Sequence, residues 1–315
     1  MEATAAACPA CCGPLRSWRR APSAEPGLPP VALLRCVRCG TAVTAGPAPP
    51  GLHDAGAYRP GAPRLSRAAA PVLAAFDRRR LAFVRAAVAP PARLLDAGAG
   101  RGRFVAAARA AGYAARGLEP SARGVAAGRD RYGVTLEPVG IEDAVVQDGT
   151  LDVVSLWHVL EHVEDPDAAV ARIAAWLRPG GALVVGVPNL GSWQARAGGR
   201  RWFHLDLPRH RTHFTVAGIR ALLERHGFTV EAEHHVLAEH NPFGMWQSLV
   251  SHLTRRPSYA YQLLKRNAPA RSPDLIVSLL ALPLAPAAAA LELLAGTAGR
   301  GGTVAVTARR GPPAA

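Results

Sequence analysis

The chain contains few lysine, methionine or aromatic residues. Lys265 is the single lysine among 37 basic side chains, only two methionines occur, and aromatic residues make up 6% of the 315 positions. Arginine therefore carries the positive charge, and its abundance beside Ala, Gly and Pro is typical of a GC-rich coding bias. Because the arginines are spread along the chain and not clustered with aromatic residues, the net charge of +14 is weak evidence for a nucleic-acid partner.

Cysteine is missing after residue 39, which excludes a disulfide framework for most of the chain. The amino terminus lacks the basic start and continuous apolar run of a signal peptide, so we expect a cytoplasmic protein, with membrane association left open. An apolar content of 49% excludes a disordered chain. The length allows one large domain with small additions.

Four of the five cysteines form two Cys-x-x-Cys knuckles near the amino terminus. Cys8 and Cys11 precede Cys36 and Cys39 by 24 residues, which is zinc-ribbon spacing and predicts a structural Zn²⁺ with all four positions closed. Cys12 is a spare thiol or an alternative to Cys11. Knuckles that bind zinc weakly or not at all are the alternative. We predict a ribbon-like segment at 1–45 and a linker rich in Gly, Pro and Ala at 46–65.

A nucleotide-binding unit follows. The apolar run before Asp96 predicts a strand, and the turn after it has glycine at alternate positions, Gly98, Gly100 and Gly102, before a helical stretch. A second predicted strand, 114–118, ends in Glu119, whose carboxylate can bind both hydroxyls of a ribose. The turn lacks the spacing that seats a pyrophosphate on a helix, so we expect an adenosine ligand without phosphates.

These residues resemble the Asp-x-Gly-x-Gly-x-Gly motif and the ribose-binding acid of class I S-adenosylmethionine-dependent methyltransferases. The resemblance continues in order through 147–156 and 178–189, which are similar to the family's fourth and fifth strands. It implies that the glycine turn approaches the methionine part of S-adenosylmethionine, that Glu119 holds the ribose, and that the Ile141 backbone or Glu142 contacts the adenine.

The fold class implied by this resemblance is α/β, with a Rossmann-like sheet of seven strands flanked by helices. Residues 228–233 and 303–309 are predicted as the sixth and seventh strands. We place the methyltransferase core at 66–239, a helical apolar insertion at 240–300, and the last core strand and tail at 301–315.

Residues 158–162 spell His-x-x-Glu-His, a pattern that one class of zinc peptidases carries on a helix. Here the pattern follows the fourth strand, and Asp165 and Pro166 predict that the next helix begins only afterwards. We therefore disfavour a peptidase. The segment resembles one found in the small-molecule methylase subgroup, which implies that His158 lies beside the reacting methyl, as a general base or as a packing residue. Glu161 and His162 are expected to hold the loop.

An insertion at 191–215 is dense in Trp, His and Arg, and relatives in the resembled family have a similar stretch there. We predict that it forms a lid and that Trp202, His204, Arg209 and His210 contact the acceptor. The charge of Arg209 and His210 would suit a phosphate or carboxylate. Packing of the loop on its own domain is the alternative for about half of these residues.

Residues 275–291 carry no charge, but Pro283 and Pro286 interrupt them. A single membrane crossing would separate the seventh strand from its sheet. Packing on the domain and peripheral membrane contact through 243–295 both stay open.

The sequence therefore predicts transfer of a methyl group from S-adenosylmethionine to an oxygen or carbon of a small or lipid-linked metabolite, with a sugar among the options. One alternative is an RNA base methyltransferase whose ribbon docks RNA. Against it, no Asn/Asp-Pro-Pro-Tyr-type motif follows the fourth strand. The other alternative is a non-catalytic binding module, which the intact Asp96 and Glu119 disfavour.

Overall fold

The computed structural model describes residues 7–25, 27–47, 49, 63–265 and 267–312, with side chains of the first helix described from residue 70. Most of the predicted linker lies outside the described residues. The cysteine segment forms an antiparallel sheet of three short strands, β1 (Leu15–Ala21), β2 (Val31–Cys36) and β3 (Ala42–Thr44).

The four knuckle cysteines meet at one end of this small sheet. The Sγ atoms of Cys8 and Cys39 are 3.7 Å apart, and those of Cys11 and Cys36 are 3.5 Å apart. All four sulfurs lie within 4.8 Å of one another. Thiolates around a tetrahedral zinc lie about 3.8 Å apart, given a Zn–S distance of about 2.3 Å, so the residues present fit that ion. Cys12 is exposed and lies outside the group.

The remaining strands are β4 (Arg93–Ala97), β5 (Ala114–Leu118), β6 (Leu151–Trp157), β7 (Leu177–Pro188), β8 (Thr212–His213), β9 (Phe228–His234) and β10 (Thr303–Arg310). Six of them form the central sheet in the order β5-β4-β6-β7-β10-β9. The first four are parallel, and β10 runs antiparallel to both of its neighbours. The α/β fold class is confirmed.

The sheet has six strands in the described chain instead of the seven expected. At the edge beside β5, the seventh position holds a single parallel bridge between Leu118 and Glu137. The backbone N–H of Glu137 donates to the Gly117 carbonyl at 2.9 Å, and its own carbonyl accepts from Glu119. Pro138 follows and has no N–H to extend the ladder, which limits this edge to a bridge.

The helices are α1 (Pro63–Ala87), α2 (Arg103–Ala110), α3 (Ala122–Tyr132), α4 (Pro166–Trp176), α5 (Trp193–Gly198), α6 (Val216–Arg225), α7 (Asn241–Val250), α8 (Tyr259–Leu264), α9 (Pro273–Leu280) and α10 (Ala285–Thr297). Three short 3₁₀ turns lie at Gly199–Arg201, Phe203–Leu205 and Leu282–Leu284. Asp165 caps α4, as its position predicted, and Thr215 caps α6, each accepting from a backbone N–H in the first turn.

The parallel strands are buried on both faces. Leu94, Leu95, Val153 and Val154 expose none of their surface, and Val184 is equally buried. Such strands have continuous apolar sequences because helices cover both sides of a parallel sheet. The sheet therefore fixes the carboxyl ends of β4, β6 and β7 along one edge, where ligands of this fold class bind.

The cysteine segment is packed against the sheet domain. Strand β3 pairs with β8, and the hydroxyl of Thr215 donates to the Cys39 carbonyl at 2.6 Å. Cys8 and Cys36 belong to the same buried cluster as Phe214 and Ile219. The ribbon thus shares a core with helix α6.

Helices α7 to α10 fill the segment between β9 and β10. The helical stretch Pro273–Thr297 is long and apolar enough to cross a membrane by length and composition alone. However, β9 and β10 are paired in one sheet on either side of this segment. A single crossing is therefore excluded by the topology.

Candidate active site

The turn between β4 and α2 is built from three glycines with positive φ: 76° at Gly98, 60° at Gly100 and 74° at Gly102. A Cβ at Gly98 would lie 2.3 Å from a methyl group of Val159, and one at Gly102 would lie 2.4 Å from Val134. At Gly100 nothing lies within 4 Å. Two glycines are thus required by packing, and the third has free space beside its Cα.

Two carboxylates adjoin this turn. Glu119, only 4% exposed, accepts hydrogen bonds from the backbone N–H of Gly100 at 2.7 Å and of Ser121 at 2.9 Å. Asp96 accepts a hydrogen bond of 2.6 Å from the Ser155 hydroxyl. Burial raises the pKa of Asp96 to about 7, against the opposing effect of that hydrogen bond. The structure thus brings together the strand-end acids that the sequence singled out.

The two residues expected at the adenine have different environments. Ile141 is buried, and its carbonyl accepts from the Arg172 guanidinium at 3.0 Å. Glu142 is exposed, and its carboxylate lies over Gly140, where a Cβ would come within 2.7 Å of Oε2. Glu142 therefore supplies a carboxylate in the space that a side chain at position 140 would fill.

His-x-x-Glu-His lies on a turn and not on a helix, as its place after a strand predicted. His158 has a φ of 57°, and its backbone N–H donates to the Gly186 carbonyl at 2.9 Å. Its ring Nδ1 lies 3.1 Å from Oε1 of Glu161. Because an ionised carboxylate can only accept, Nδ1 is the protonated nitrogen and Nε2 is the basic one.

Glu161 is buried, and its ionised form is stabilised by the imidazoles around it. Burial alone would raise the pKa of Glu161, but the hydrogen bond from His158 and the neighbouring His210 and His162 lower it to about 2. Its Oε2 has no hydrogen-bond partner among the described residues. Burial also lowers the pKa of His162 to about 4. An ionised carboxylate and a neutral imidazole therefore lie side by side at neutral pH.

Of the four residues expected to contact the acceptor, two are held by other parts of the protein. Trp202 is 2% exposed, and its indole N–H donates to Gln194 at 2.9 Å. Arg209 forms a bidentate pair with Asp206 and also binds Glu25. Its charge is balanced inside the protein, so we correct the expectation that it serves an anionic acceptor.

His204 and His210 lie closer to the strand ends. The ring of His204 stacks on that of His158 with centroids 5.9 Å apart. Burial lowers the pKa of His204 well below its usual range, so this ring is neutral. His210 is buried, and its Nδ1 donates to the His204 carbonyl at 2.8 Å. These two imidazoles border the site, and the neutral ring of His204 offers no positive charge to an acceptor.

Sequence reasoning missed His240 and the pocket beside it. The His240 ring meets that of His158 edge to face with centroids 4.8 Å apart. A small pocket opens there, and its lining includes Phe76, Phe83, Trp157, His158 and His240. His240 precedes α7 in the apolar insertion, where no local pattern marks it. Phe76 and Phe83 follow helical spacing on α1, which signals a packed face but not its partner.

Comparison with known proteins agrees with this architecture. A family model of a methyltransferase domain matches residues 68–233, more than half of the chain. The ubiquinone biosynthesis O-methyltransferase of Xanthomonas campestris pv. campestris is 34% identical over 124 residues, 37% of this chain and 52% of that one. The enzyme of the same name from Rhodopseudomonas palustris is 30% identical over 109 residues, 33% and 43% of the two chains.

The chain thus spans about half the length of the curated relatives it matches. Among solved structures, a Galdieria sulphuraria protein assigned as a sarcosine dimethylglycine methyltransferase has a TM-score of 0.51 at 16% identity. The match covers 78% of this chain and 88% of that one, and it concerns the fold alone. Since the family model covers the strand, glycine turn and helix as well as the His158 turn, the chain belongs to the methyltransferase domain family, as its resemblance to S-adenosylmethionine-dependent methyltransferases predicted.

Proposed function

We propose that the protein binds S-adenosylmethionine at the carboxyl ends of β4 and β5 and transfers its methyl group to a hydroxyl oxygen of a small acceptor. When bound, S-adenosylmethionine supplies a methyl group on a positively charged sulfonium. The free space beside the Gly100 Cα and the buried carboxylate of Glu119 fit the methionine and ribose parts of this ligand. Glu142 is the residue that we assign to the adenine.

One observation carries the transfer step: the pairing of His158 with the buried, ionised Glu161. A carboxylate on Nδ1 orients the imidazole and stabilises the imidazolium that forms when Nε2 accepts a proton. Val159, the next residue, packs on Gly98 of the cofactor turn. We therefore assign His158 as the general base that removes the proton of the acceptor hydroxyl.

The pocket beside His158 suggests the acceptor class. Phe76, Phe83 and Trp157 line it with aromatic rings, and the charged side chains in its lining are Arg79, Arg80 and Glu239. An aromatic ring with a hydroxyl group suits this lining better than a polar sugar. The names of the curated relatives, both O-methyltransferases, support oxygen as the acceptor atom.

The four knuckle cysteines are proposed to hold a structural Zn²⁺. Their sulfurs fit the tetrahedral ion, and three of the four cysteines belong to the core shared with α6. A closed four-thiolate site leaves no position for chemistry. Zinc would therefore fix the ribbon, including the β3 strand that pairs with β8.

We further propose that the apolar insertion lies on an anionic membrane surface. Aliphatic side chains are exposed along it, including Ile276 at 62%, Leu280 at 77% and Leu284 at 60%. The two acids between residues 240 and 300, Asp274 and Glu292, are both buried. The exposed charges of the described residues in this segment are arginines, Arg255, Arg256, Arg271 and Arg300. Exposed leucines bordered by basic residues suit lipid headgroups and the acyl boundary.

Replacing Glu119 tests the cofactor site. We expect Glu119→Ala to weaken S-adenosylmethionine binding by about tenfold to a hundredfold, because a charged hydrogen bond contributes roughly 1.5 to 3 kcal/mol. Isothermal titration calorimetry measures this, with Glu119→Gln as a shape-conserving second variant. Glu137→Ala is the matched control, since Glu137 pairs with Arg116 at 2.8 Å and is partly exposed. Unchanged affinity in both Glu119 variants contradicts the assignment.

Replacing His158 tests the base. We expect His158→Gln to lower kcat by roughly 10² to 10⁴ while the dissociation constant for S-adenosylmethionine changes little. His226→Gln, on the surface and paired with Asp167, is the control. The measurement is single-turnover transfer to a phenolic acceptor. A loss of less than about tenfold would mean that His158 only shapes the pocket.

The zinc site predicts a thiolate-to-metal absorption band when Co²⁺ replaces the ion. We expect Cys36→Ser to lose this band and lower the melting temperature, because structural zinc contributes roughly 10 kcal/mol or more of coupled folding energy in isolated fingers. Cys12→Ser should keep the absorption band and the melting temperature of the parent, since Cys12 lies outside the group. Metal-free purified protein, together with an unchanged Cys36→Ser melt, would overturn the site.

Flotation with liposomes tests the membrane surface. We expect the protein to float with vesicles containing phosphatidylglycerol, and Leu280→Glu to reduce the bound fraction by roughly tenfold. Val145→Glu is the matched control, because Val145 is 91% exposed but lies outside the insertion. Protein that stays at the bottom of the gradient with anionic vesicles excludes this proposal.

A further inference from the structure

A second group of ligand-type side chains lies between the β6 exit and the loop that leads to β8. Glu161, His162 and His210 bring a carboxylate oxygen and two imidazole nitrogens to within 4.8 Å of one another. Two of these residues belong to the His-x-x-Glu-His pattern. The third is 48 positions away, so the group exists only in the folded chain.

Glu161 provides the strongest evidence that this group binds a metal ion. Its side chain is 1% exposed, and Oε1 is bonded to His158. Oε2 has no hydrogen-bond partner among the described residues. A buried carboxylate oxygen without a partner is costly, and buried charges in proteins are paired or coordinate metals.

Both histidines are oriented as metal ligands usually are. Nδ1 of His162 donates to the Arg209 carbonyl at 3.2 Å, and Nδ1 of His210 donates to the His204 carbonyl at 2.8 Å. A backbone carbonyl on one ring nitrogen fixes the tautomer in which Nε2 carries the lone pair, as in the outer shell of zinc sites. Two independent carbonyls thus select the same tautomer at both rings.

We propose that Glu161, His162 and His210 bind a divalent transition-metal ion, separate from the cysteine site. Two imidazoles and one carboxylate suit Zn²⁺, Co²⁺ or Fe²⁺ and leave at least one coordination position open. Ligand atoms around tetrahedral zinc lie about 3.3 Å apart, so the group has to contract where its atoms are further apart than this.

The metal would join two segments that the fold already brings together. The Glu161 carbonyl accepts from the backbone N–H of Arg211 at 2.7 Å and of Thr212 at 3.1 Å. The ion would add a side-chain link between the β6 exit and the loop that carries His204 and His210. The proposed base and the proposed metal share Glu161, whose Oε1 is bonded to His158 while Oε2 has no hydrogen-bond partner among the described residues. Metal binding is therefore measured directly, without a transfer assay.

Metal stoichiometry tests the site without any transfer assay. The full chain is equilibrated with Zn²⁺, desalted, and analysed for metal and protein. We expect two ions per chain in the parent and one in both Glu161→Gln and His210→Asn. His213→Asn is the matched control: this buried histidine bonds Thr44, lies outside the group and should leave two ions.

Co²⁺ identifies which ion a variant loses. In Glu161→Gln the thiolate band of the cysteine site should persist while the total metal content falls by one ion per chain. His210→Asn keeps a side-chain N–H that can donate to the His204 carbonyl, so this variant removes the ligand but not the hydrogen bond. Circular dichroism melts establish that both variants fold. One ion per chain in a parent that shows the full thiolate band, or two in both variants, would overturn the proposal whether or not the protein transfers methyl groups.

Discussion

Glu161 is the residue on which the site most depends. Its carboxylate holds His158, and its carbonyl accepts from Arg211 and Thr212 at the start of β8. Strand β8 in turn pairs with β3 of the cysteine segment. One turn residue therefore links the end of a buried strand, the loop over the site and the amino-terminal ribbon. A neutral residue of the same size would keep the backbone bonds and lose the charge that orients His158.

The carboxylate stays ionised because several imidazoles surround it. Burial of a lone carboxylate raises its pKa, yet here the hydrogen bond from His158 and the nearby rings reverse that effect. The same burial lowers the pKa of His162, His204 and His240. A buried carboxylate among several imidazoles suits a cation and repels an anion.

Much of the fold and the cofactor turn could be predicted from the sequence, because their causes are local. Buried parallel strands are apolar throughout, and the turn after Asp96 requires glycine where φ is positive and neighbours approach closely. The environments of Arg209 and Trp202 could not be predicted. Arg209 pairs with the nearby Asp206, but its further partner, Glu25, belongs to the cysteine segment. The Trp202 indole bonds Gln194 on α5, and both contacts depend on how these segments fold against one another. The reduced seventh strand depends on edge pairing, which local patterns also leave undetermined.

The insertion connects the pocket beside His158 with the exposed apolar face around Leu280. The His240 ring contacts the His158 ring at the amino-terminal end of α7. On the same helix, the indole N–H of Trp246 donates to the Ala281 carbonyl at 2.9 Å. Ala281 is flanked by the exposed Leu280 and Leu282. The path from the base to the apolar face therefore runs through one buried helix, with no flexible linker between them. A membrane contact at Leu280 would hold the pocket beside His158 at a fixed height above the bilayer, which favours an acceptor whose apolar part stays in the lipid while its hydroxyl reaches Nε2.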